Sequence, residues 1–497
     1  MNFGIPLNRT SAVYHQQKKT MKLFLENTIR LSQWLSADVK APFPELYLAG
    51  GAVRDLMLGK APKDVDVVCK NARTFARRLT RGKDMALVPM EKKPDVPTFR
   101  IVDRNAPDRV LDITEMRGET IQDDLYRRDF TINAIAVRIG NNGHPDDVID
   151  PTGGQADIAA KIIRNVDGSA FESDPLRILR AFRFAAQLEF AIEPATEKNM
   201  QASIMLLTRI SVERIVSELL LILERPVASE TIRRMDATGV LDVIFPEILP
   251  MKGCPQNDYH HKDVWGHSLL VLENSENILN HLEMFFGDRS PLIAANLGEC
   301  HRAPLLKLAA LLHDVGKPST RGLNLETGRI TFYGHDETGS AMMSVITERL
   351  KLPVRDREFL SLLLSEHLHV LDMSAPNVTW RTLMRWFRRL GENVVPVIVL
   401  GMADVQGARG PASRPEAIAA YSDWSRRMIV QYDDAARRQL AQRNLISGHD
   451  LMKLGVSPGP RMGDILKHVR DAQDVGDVID KEGALSLALR MLRDISA

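Results

Sequence analysis

The 497-residue sequence predicts an α/β head followed by an all-α remainder. Three observations predict it. Up to about Gln155, short apolar runs alternate with turn signals, the pattern of strands and brief helices. Beyond that point long helical periods such as "ADIAAKIIRNV" and "DPLRILRAFRFAAQL" run on with few breakers. Two stretches rich in Gly and Pro, Gly253–His261 and Gln406–Ala417, then divide the helical part. The expected segmentation is a flexible leader over 1–27, the head over 28–160, a helical neck over 161–252, a second helical domain over 253–410 and a helical tail over 411–497. A chain of this length exceeds what one hydrophobic core serves.

Composition narrows the class. With 44% hydrophobic and 26% charged residues, the chain has the make-up of a folded soluble protein. No window holds the long uncharged apolar run of a membrane helix, and the N-terminus lacks a signal-peptide core, so a cytoplasmic protein with no membrane partner is expected. Cys69, Cys254 and Cys300 are scattered without CxxC spacing, which argues against a disulfide framework and a thiolate zinc site. The first 25 residues carry no acid, and Met21 is an alternative start. The net charge of +1 leaves polyanion binding to local basic patches.

Within the head, strands are expected at Glu45–Ala49, Val65–Val68, Thr98–Val102 and Val110–Glu115, with a helix after Gly50-Gly51. Side chains two apart on a strand share a face, so Asp64 and Asp66 present paired carboxylates of the kind an oxygen-ligand Mg²⁺ site needs. Asp112, in "VLDITEM", is the candidate third carboxylate. Backbone amides of Gly50, Gly51 and the helix start would take a triphosphate. The predicted unit is a nucleotide-plus-metal cradle in which two metal ions activate a hydroxyl and neutralise a leaving pyrophosphate.

GGAVRD, K-D-V-D, RRDFTINAIA (Arg127–Ala136), D-P-T-G-G (Asp150–Gly154), DPLRILRAFRF (Asp174–Phe184) and SVERIVSELLLIL (Ser211–Leu223) together resemble the successive motifs of class II tRNA nucleotidyltransferases and bacterial poly(A) polymerases. The resemblance covers about residues 45 to 225 and implies a polymerase-β-like nucleotidyltransferase head, a helical neck and RNA bound across a basic face. It implies nucleotide contacts from Gly50, Gly51, Arg54, Arg127, Arg128, Asp129 and Asn133, with Arg127, Arg128 and Asp129 facing the ribose and phosphates. The family chooses its base with a protein template. Asp174 and Arg177, three apart, are expected to project from one helix face as an acceptor beside a donor fork, matching cytosine and adenine but not uracil or guanine. Arg180 extends this face as a basic stripe. Ser173 departs from the family, which has Glu there.

The helical part carries a second constellation. His267, His313-Asp314 and Asp404 reproduce the H…HD…D order of the HD phosphohydrolase superfamily, which implies a divalent metal: Mg²⁺, Mn²⁺ or a transition metal. His335 and His367 could add ligands for a second ion. The domain either hydrolyses phosphoesters or serves as an RNA-binding body with inherited ligands. In the tail, S-P-G-P between two helical stretches reads either as a phosphate-gripping turn beside Arg461 or as a helical hairpin. The function implied is Mg²⁺-dependent addition of CCA, or part of it, to tRNA 3′ ends from CTP and ATP. The alternatives are AMP addition to RNA 3′ ends by a poly(A) polymerase, and an HD phosphohydrolase whose inactive head only binds RNA.

Overall fold

The computed structural model describes residues 44–62, 65–90, 96–140, 145–441, 444–474 and 476–494. Asp64 and the leader expected at 1–27 lie outside the described residues. The chain divides into two compact units, residues 1–218 and 219–497.

The first unit is built on a seven-stranded sheet ordered β3-β4-β5-β2-β1-β6-β7. Its strands are β1 (Leu46–Ala49), β2 (Asp66–Cys69), β3 (Met85–Met90), β4 (Thr98–Asp103), β5 (Ala106–Glu115), β6 (Ala136–Ile139) and β7 (Pro145–Ile149). Only β2 and β5 pair in parallel; every other neighbouring pair is antiparallel. The helices of the sheet region are α1 (Gly51–Met57), α2 (Ala72–Thr80), α3 (Ile121–Tyr126) and α4 (Gly154–Ala160). Phe75, Ala76 and Leu79 of α2 recur at helical spacing and are buried, so one apolar stripe covers the sheet. Thr120 and Asp123 form a reciprocal capping box that fixes where α3 starts. The D-P-T-G-G turn is a structural joint: Asp150 accepts the Gly154 N–H at 2.7 Å and the Gln155 N–H at 2.9 Å, satisfying amides that open α4.

After α4 come α5 (Ala170–Ser173), α6 (Arg177–Leu188) and α7 (Val212–Leu223), inside which the two units divide. Ile178, Leu179, Phe182 and Ala185 give α6 its buried face.

The second unit contains α8 (Val264–Asn280), α9 (Arg302–Leu312), α10 (His335–Arg349), α11 (Val354–Glu366) and α12 (Val394–Gly407). In α12 the run Val394–Asp404 is buried all round, as a helix apolar on every face must be. A long α13 (Pro415–Ala441) precedes α14 (Gly448–Lys453), α15 (Pro460–Asp474) and α16 (Lys481–Asp494). These last three close over a core of their own that includes Leu451, Ile465, Val469 and Ala488. The S-P-G-P turn links α14 to α15, and Arg461 is exposed on α15's first turn.

Candidate functional site

In the head, carboxylates line up across the sheet. Asp66 on β2 pairs in register with Asp112 on β5, and Arg100 on β4 lies opposite Asp112. Register partners share a face, so the three form one row, while Leu111 and Ile113 turn to the other face and are buried. Arg100 grips Asp112 bidentately, Nε to Oδ1 at 2.8 Å and Nη2 to Oδ2 at 2.7 Å. Asp112 therefore stands beside Asp66, as a third carboxylate would, but both of its oxygens already accept from a guanidinium. Carboxylate oxygens are the donors a hard cation such as Mg²⁺ takes, and Asp112 would have to release Arg100 to serve as one.

Next to this row a buried polar cluster draws together the ends of β1, α3 and α6. Gly50 has a φ of 81°. Glycine is required for this backbone angle, and a Cβ there would come within 2.5 Å of Arg128 Nη1 and push that guanidinium aside. The Gly50 N–H donates to Ile135 O at 3.1 Å. This corrects the expectation that it is free for a phosphate, because β1 spends it holding the segment before β6. Gly51 is the first residue of α1. Arg54 is 4% exposed and faces inward: Nη1 donates to Asn133 Oδ1 at 2.7 Å, and Nε and Nη2 donate to Asp55. A contact from Arg54 to a nucleotide is not what this burial favours; the residue locks α1 to Asn133.

Asp129 is the centre of the cluster. Its Oδ1 accepts from Asn133 Nδ2 at 3.0 Å and from the Phe130 N–H at 2.9 Å, and its Oδ2 accepts from Arg180 Nε at 2.9 Å and Nη2 at 2.5 Å. Burial by itself would raise the Asp129 carboxyl, but Arg180 and Asn133 outweigh it and hold the group well below the usual carboxylate range. Conversely, burial opposes charge on Arg180, and Asp129 with Glu218 more than restores it. Glu218 also takes Arg183 Nε at 2.5 Å. Arg54, Arg180 and Arg183 all lie over the Phe184 ring, at 5.1, 5.2 and 4.2 Å from its centroid. Arg128 is held by Asp124, whose Oδ2 accepts from Nε at 3.0 Å and Nη2 at 2.9 Å, while the Arg127 side chain is exposed.

Asp174 and Arg177 do not share a helix face. Asp174 ends α5 in an extended conformation (φ −149°, ψ 93°), and Arg177 opens α6. Pro175 between them is the cause, since the residue before proline is pushed out of the helical region. The two remain neighbours, bridged by the Arg177 N–H to Asp174 O at 3.0 Å. Each is engaged: Asp174 Oδ2 pairs with Arg214 Nη2 at 2.9 Å, and Arg177 donates to the carbonyls of Arg127 at 2.8 Å and Arg128 at 3.2 Å. Ser173 turns away and bonds Ala170 O at 2.9 Å. The structure thus connects Gly50, Arg54, Arg128, Asp129, Asn133, Arg177 and Arg180 in one network. It adds Asp124, Arg214, Glu218 and Phe184, which the sequence reading did not single out. Asp124 had a signal, its spacing of four from Arg128; Glu218 and Phe184 lay inside quoted motifs without a mark of their own.

In the second unit five helices deliver a cluster of imidazoles and carboxylates. His267 comes from α8, His313 and Asp314 follow α9, His335 opens α10, His367 ends α11 and Asp404 lies on α12. Gly316 permits this, because a Cβ there would sit 2.3 Å from His335 O. His267 Nε2 is 2.8 Å from Asp404 Oδ1. Asp314 lies between two groups: Oδ2 is 3.2 Å from His313 Nε2 and 3.7 Å from His267 Nε2, and Oδ1 is 3.4 Å from His335 Nε2 and 3.8 Å from His367 Nε2. His267, His313 and Asp314 form one potential metal trio, and Asp314, His335 and His367 a second. The residues fit metal ions in their tautomers as well. Nδ1 of His313 is 2.9 Å from Ala310 O, that of His335 2.7 Å from Phe332 O and that of His367 2.5 Å from Leu364 O. Each ring nitrogen so placed donates its hydrogen to the carbonyl and leaves Nε2 as the ligand atom. His313 Nε2 is buried without a hydrogen-bond partner, as a ligand awaiting an ion would be. Despite the burial of His313, Asp314 and Asp404 favour a proton on its Nε2, raising its pKa to about 10 while both carboxyls are held well below their usual range, so a cation bound at Nε2 would displace that proton. Lys317 pairs with Asp314 at 2.7 Å. His260, in the stretch read as a junction, packs edge-on to His267 at 4.4 Å, and burial pushes its pKa down to about 3.

Three family models match successive stretches of the chain. The family described as "Poly A polymerase head domain" matches residues 46–164, "Probable RNA and SrmB- binding site of polymerase A" matches 189–252, and "HD domain" matches 264–404. The chain is 33% identical over 444 residues to an A-adding tRNA nucleotidyltransferase of Deinococcus radiodurans, covering 88% of this chain and 93% of that protein. It is 29% identical to a CC-adding tRNA nucleotidyltransferase of Thermus thermophilus (90% and 93% covered) and 30% identical to a multifunctional CCA protein of Verminephrobacter eiseniae (86% and 98% covered). Among solved structures, a CCA-adding enzyme in complex with ATP superposes with a TM-score of 0.59 at 25% identity over 90% of each chain. For the Thermotoga maritima CCA-adding enzyme the TM-score is 0.58 at 24% identity, over 95% of this chain and 98% of that one, a likeness of fold.

Proposed function

The chain belongs to the family of tRNA nucleotidyltransferases and poly(A) polymerases, and from that premise we propose that it adds CCA, or part of it, to tRNA 3′ ends from CTP and ATP. The observation that carries this reading is the buried network around Asp129, which ties the motif residues Gly50, Arg128, Asn133 and Arg180 together beside the Asp66–Asp112 row. Residues 28–160 act as the head, 161–252 as the neck, 253–410 as the HD domain and 411–497 as the tail of an enzyme working in the cytoplasm.

Asp64 and Asp66 would hold Mg²⁺ in the head, where a bound divalent ion supplies charge neutralisation for the triphosphate and acidifies the attacking hydroxyl. The tRNA 3′-hydroxyl displaces pyrophosphate from the α-phosphate in line. Exposed Arg127 offers a guanidinium to the phosphates, and Arg128, fixed by Asp124, is presented without conformational search. Asp174 and Arg177 read the base edge; Arg177 hangs from the carbonyls of Arg127 and Arg128, so the reading group and the phosphate group move as one piece. In the second unit, His267, His313, Asp314, His335, His367 and Asp404 would hold one or two divalent ions, Mg²⁺, Mn²⁺ or a transition metal, for phosphoester hydrolysis.

The test is incorporation of labelled CTP and ATP into tRNAs lacking three, two or one of the terminal C-C-A nucleotides, with Asp66→Asn as control. The proposal expects addition that stops at the complete end, and loss of several kcal/mol of transition-state stabilisation, about a thousandfold or more in rate, in the variant. Long A tails on RNA of any end would establish the poly(A) polymerase reading instead. Near-normal turnover by Asp66→Asn would remove the carboxylate row from the active site.

A further inference from the structure

In the carboxylate row of the head, Asp66 opens β2 and Asp112 on β5 lies opposite it in register. Paired strands run roughly 4.8 Å apart, and like charges placed directly opposite each other destabilise a sheet. Asp112 is 8% exposed, so little water reaches it to screen the repulsion. An acidic row in this position needs a positive charge built into the fold, and Arg100 on β4 is that charge.

Register aims it. Thr98, Arg100 and Val102 of β4 lie opposite Thr114, Asp112 and Val110 of β5, and the Thr98 and Thr114 hydroxyls bond each other at 3.2 Å on the same face. Arg100 is thereby set across from Asp112 and closes its two-pronged contact, in which Nε takes one carboxylate oxygen and Nη2 the other. The Arg100 side chain is 33% exposed, against 10% for that of Asp112, and an ion pair with one partner in reach of water is readily exchanged. A divalent ion brings the same carboxylate twice the charge. An ion on either oxygen would meet the positive guanidinium at close range, so the two compete for Asp112.

We infer that Arg100 is the built-in counter-ion of the carboxylate row and, by competing with a divalent ion for Asp112, sets how tightly the head binds metal. The inference rests on the reading of that row as the head's metal site. In ion-free solution Arg100 neutralises Asp112 and lets the carboxylates of β2 and β5 stand side by side. On loading, Asp112 gives up the guanidinium. The head's affinity for a free ion therefore lies below what the same carboxylates would give without Arg100.

Titration of the full chain with Mn²⁺, the free ion being counted by electron paramagnetic resonance, tests this. The Mn²⁺ that Asp66→Asn no longer binds is the head's share. In Arg100→Met that share should bind roughly three- to tenfold more tightly, the range of one partly exposed charged contact. Arg100→Lys keeps the charge but not the fork, so it should tighten binding by less. Arg100→Met combined with Asp112→Asn should bring the affinity back to the wild-type value or below it, because the gain comes through Asp112. An arginine that merely braced the strands would give the opposite sign, a loosened row and weaker binding. Unchanged or weaker Mn²⁺ binding in both Arg100 variants, or the same tightening with Asp112→Asn present, would overturn the role of Arg100 alone. If Asp66→Asn removes no Mn²⁺, the row is not a metal site, and the reading beneath the inference falls with it.

Discussion

On the proposed function, base choice rests on Asp174 and Arg177, and their present partners say how they can be used. Asp174 keeps free lone pairs while bound to Arg214, because a carboxylate accepts at about four positions. Arg177 spends two donors on carbonyls and, as a guanidinium, retains others for a base edge. Burial lowers the Arg177 pKa, which Asp129 and Asp174 partly offset. Arg177→Ala should therefore admit UTP and GTP and weaken CTP and ATP together, since one donor fork serves both correct bases. Arg214→Ala removes an exposed pair worth about 1 kcal/mol at most, so it should raise KM for CTP and ATP by roughly threefold and leave the melting temperature in place. Steady-state kinetics with all four nucleotides on a primer that accepts either base check both. A uniform fall in rate with unchanged base preference in Arg177→Ala would make this segment a support and move selection elsewhere.

At the scale of elements, α6 is bound to the RRDFTIN segment through Asp129–Arg180 and to α7 through Glu218, with Phe184 beneath the arginines. Breaking a buried pair by removing one partner costs about 3–5 kcal/mol, so Asp129→Asn should destabilise the first unit by that order. The pair also has a pH signature. Because folding depresses the Asp129 pKa, its contribution is complete above the unfolded value of about 3.9 and is lost as pH falls through the folded value. Urea midpoints of the wild type should drop below about pH 4, and Asp129→Asn should lack that part of the slope. A parallel acid response in both proteins would show that other carboxyls govern it. These elements differ in how far the sequence reveals them. Strands β1, β2, β4 and β5 were legible because short apolar runs between Gly, Asp and Pro leave little alternative. The three-residue spacing of Asp174 and Arg177 suggests one helix face, but Pro175 between them pushes Asp174 into an extended conformation and ends that face. The burial of Arg54, the Arg100 grip on Asp112 and the role of Phe184 depend on register and on packing between distant segments, which local pattern does not carry.

For the whole molecule, two polar clusters are built from disjoint residues: the carboxylate row and Asp129 network of the first unit, and the Asp314 cluster of the second. Sites that share no partner residue respond independently to substitution, within about 0.5 kcal/mol. The HD ligands, contributed by helices far apart in the chain, were recognisable only through their order of types, and their convergence on Asp314 makes that residue the natural probe. Asp314→Asn keeps the size and removes the charge that faces four imidazoles. Added Mn²⁺ should raise the melting temperature of the wild type, since an ion that binds only the folded state stabilises it by mass action, by about 2.7 kcal/mol at a hundred times its Kd. That rise should vanish in Asp314→Asn together with any metal-stimulated phosphatase or cyclic phosphodiesterase activity. Nucleotide addition should stay within roughly two- to threefold of wild type, the margin that independent sites allow. The three readouts separate the causes: a lost Mn²⁺ shift with normal addition assigns the ion to the HD cluster. Loss of both activities in a variant that still melts cooperatively would mean that the metal cluster also supports nucleotide transfer, and the division into two independent sites would be wrong.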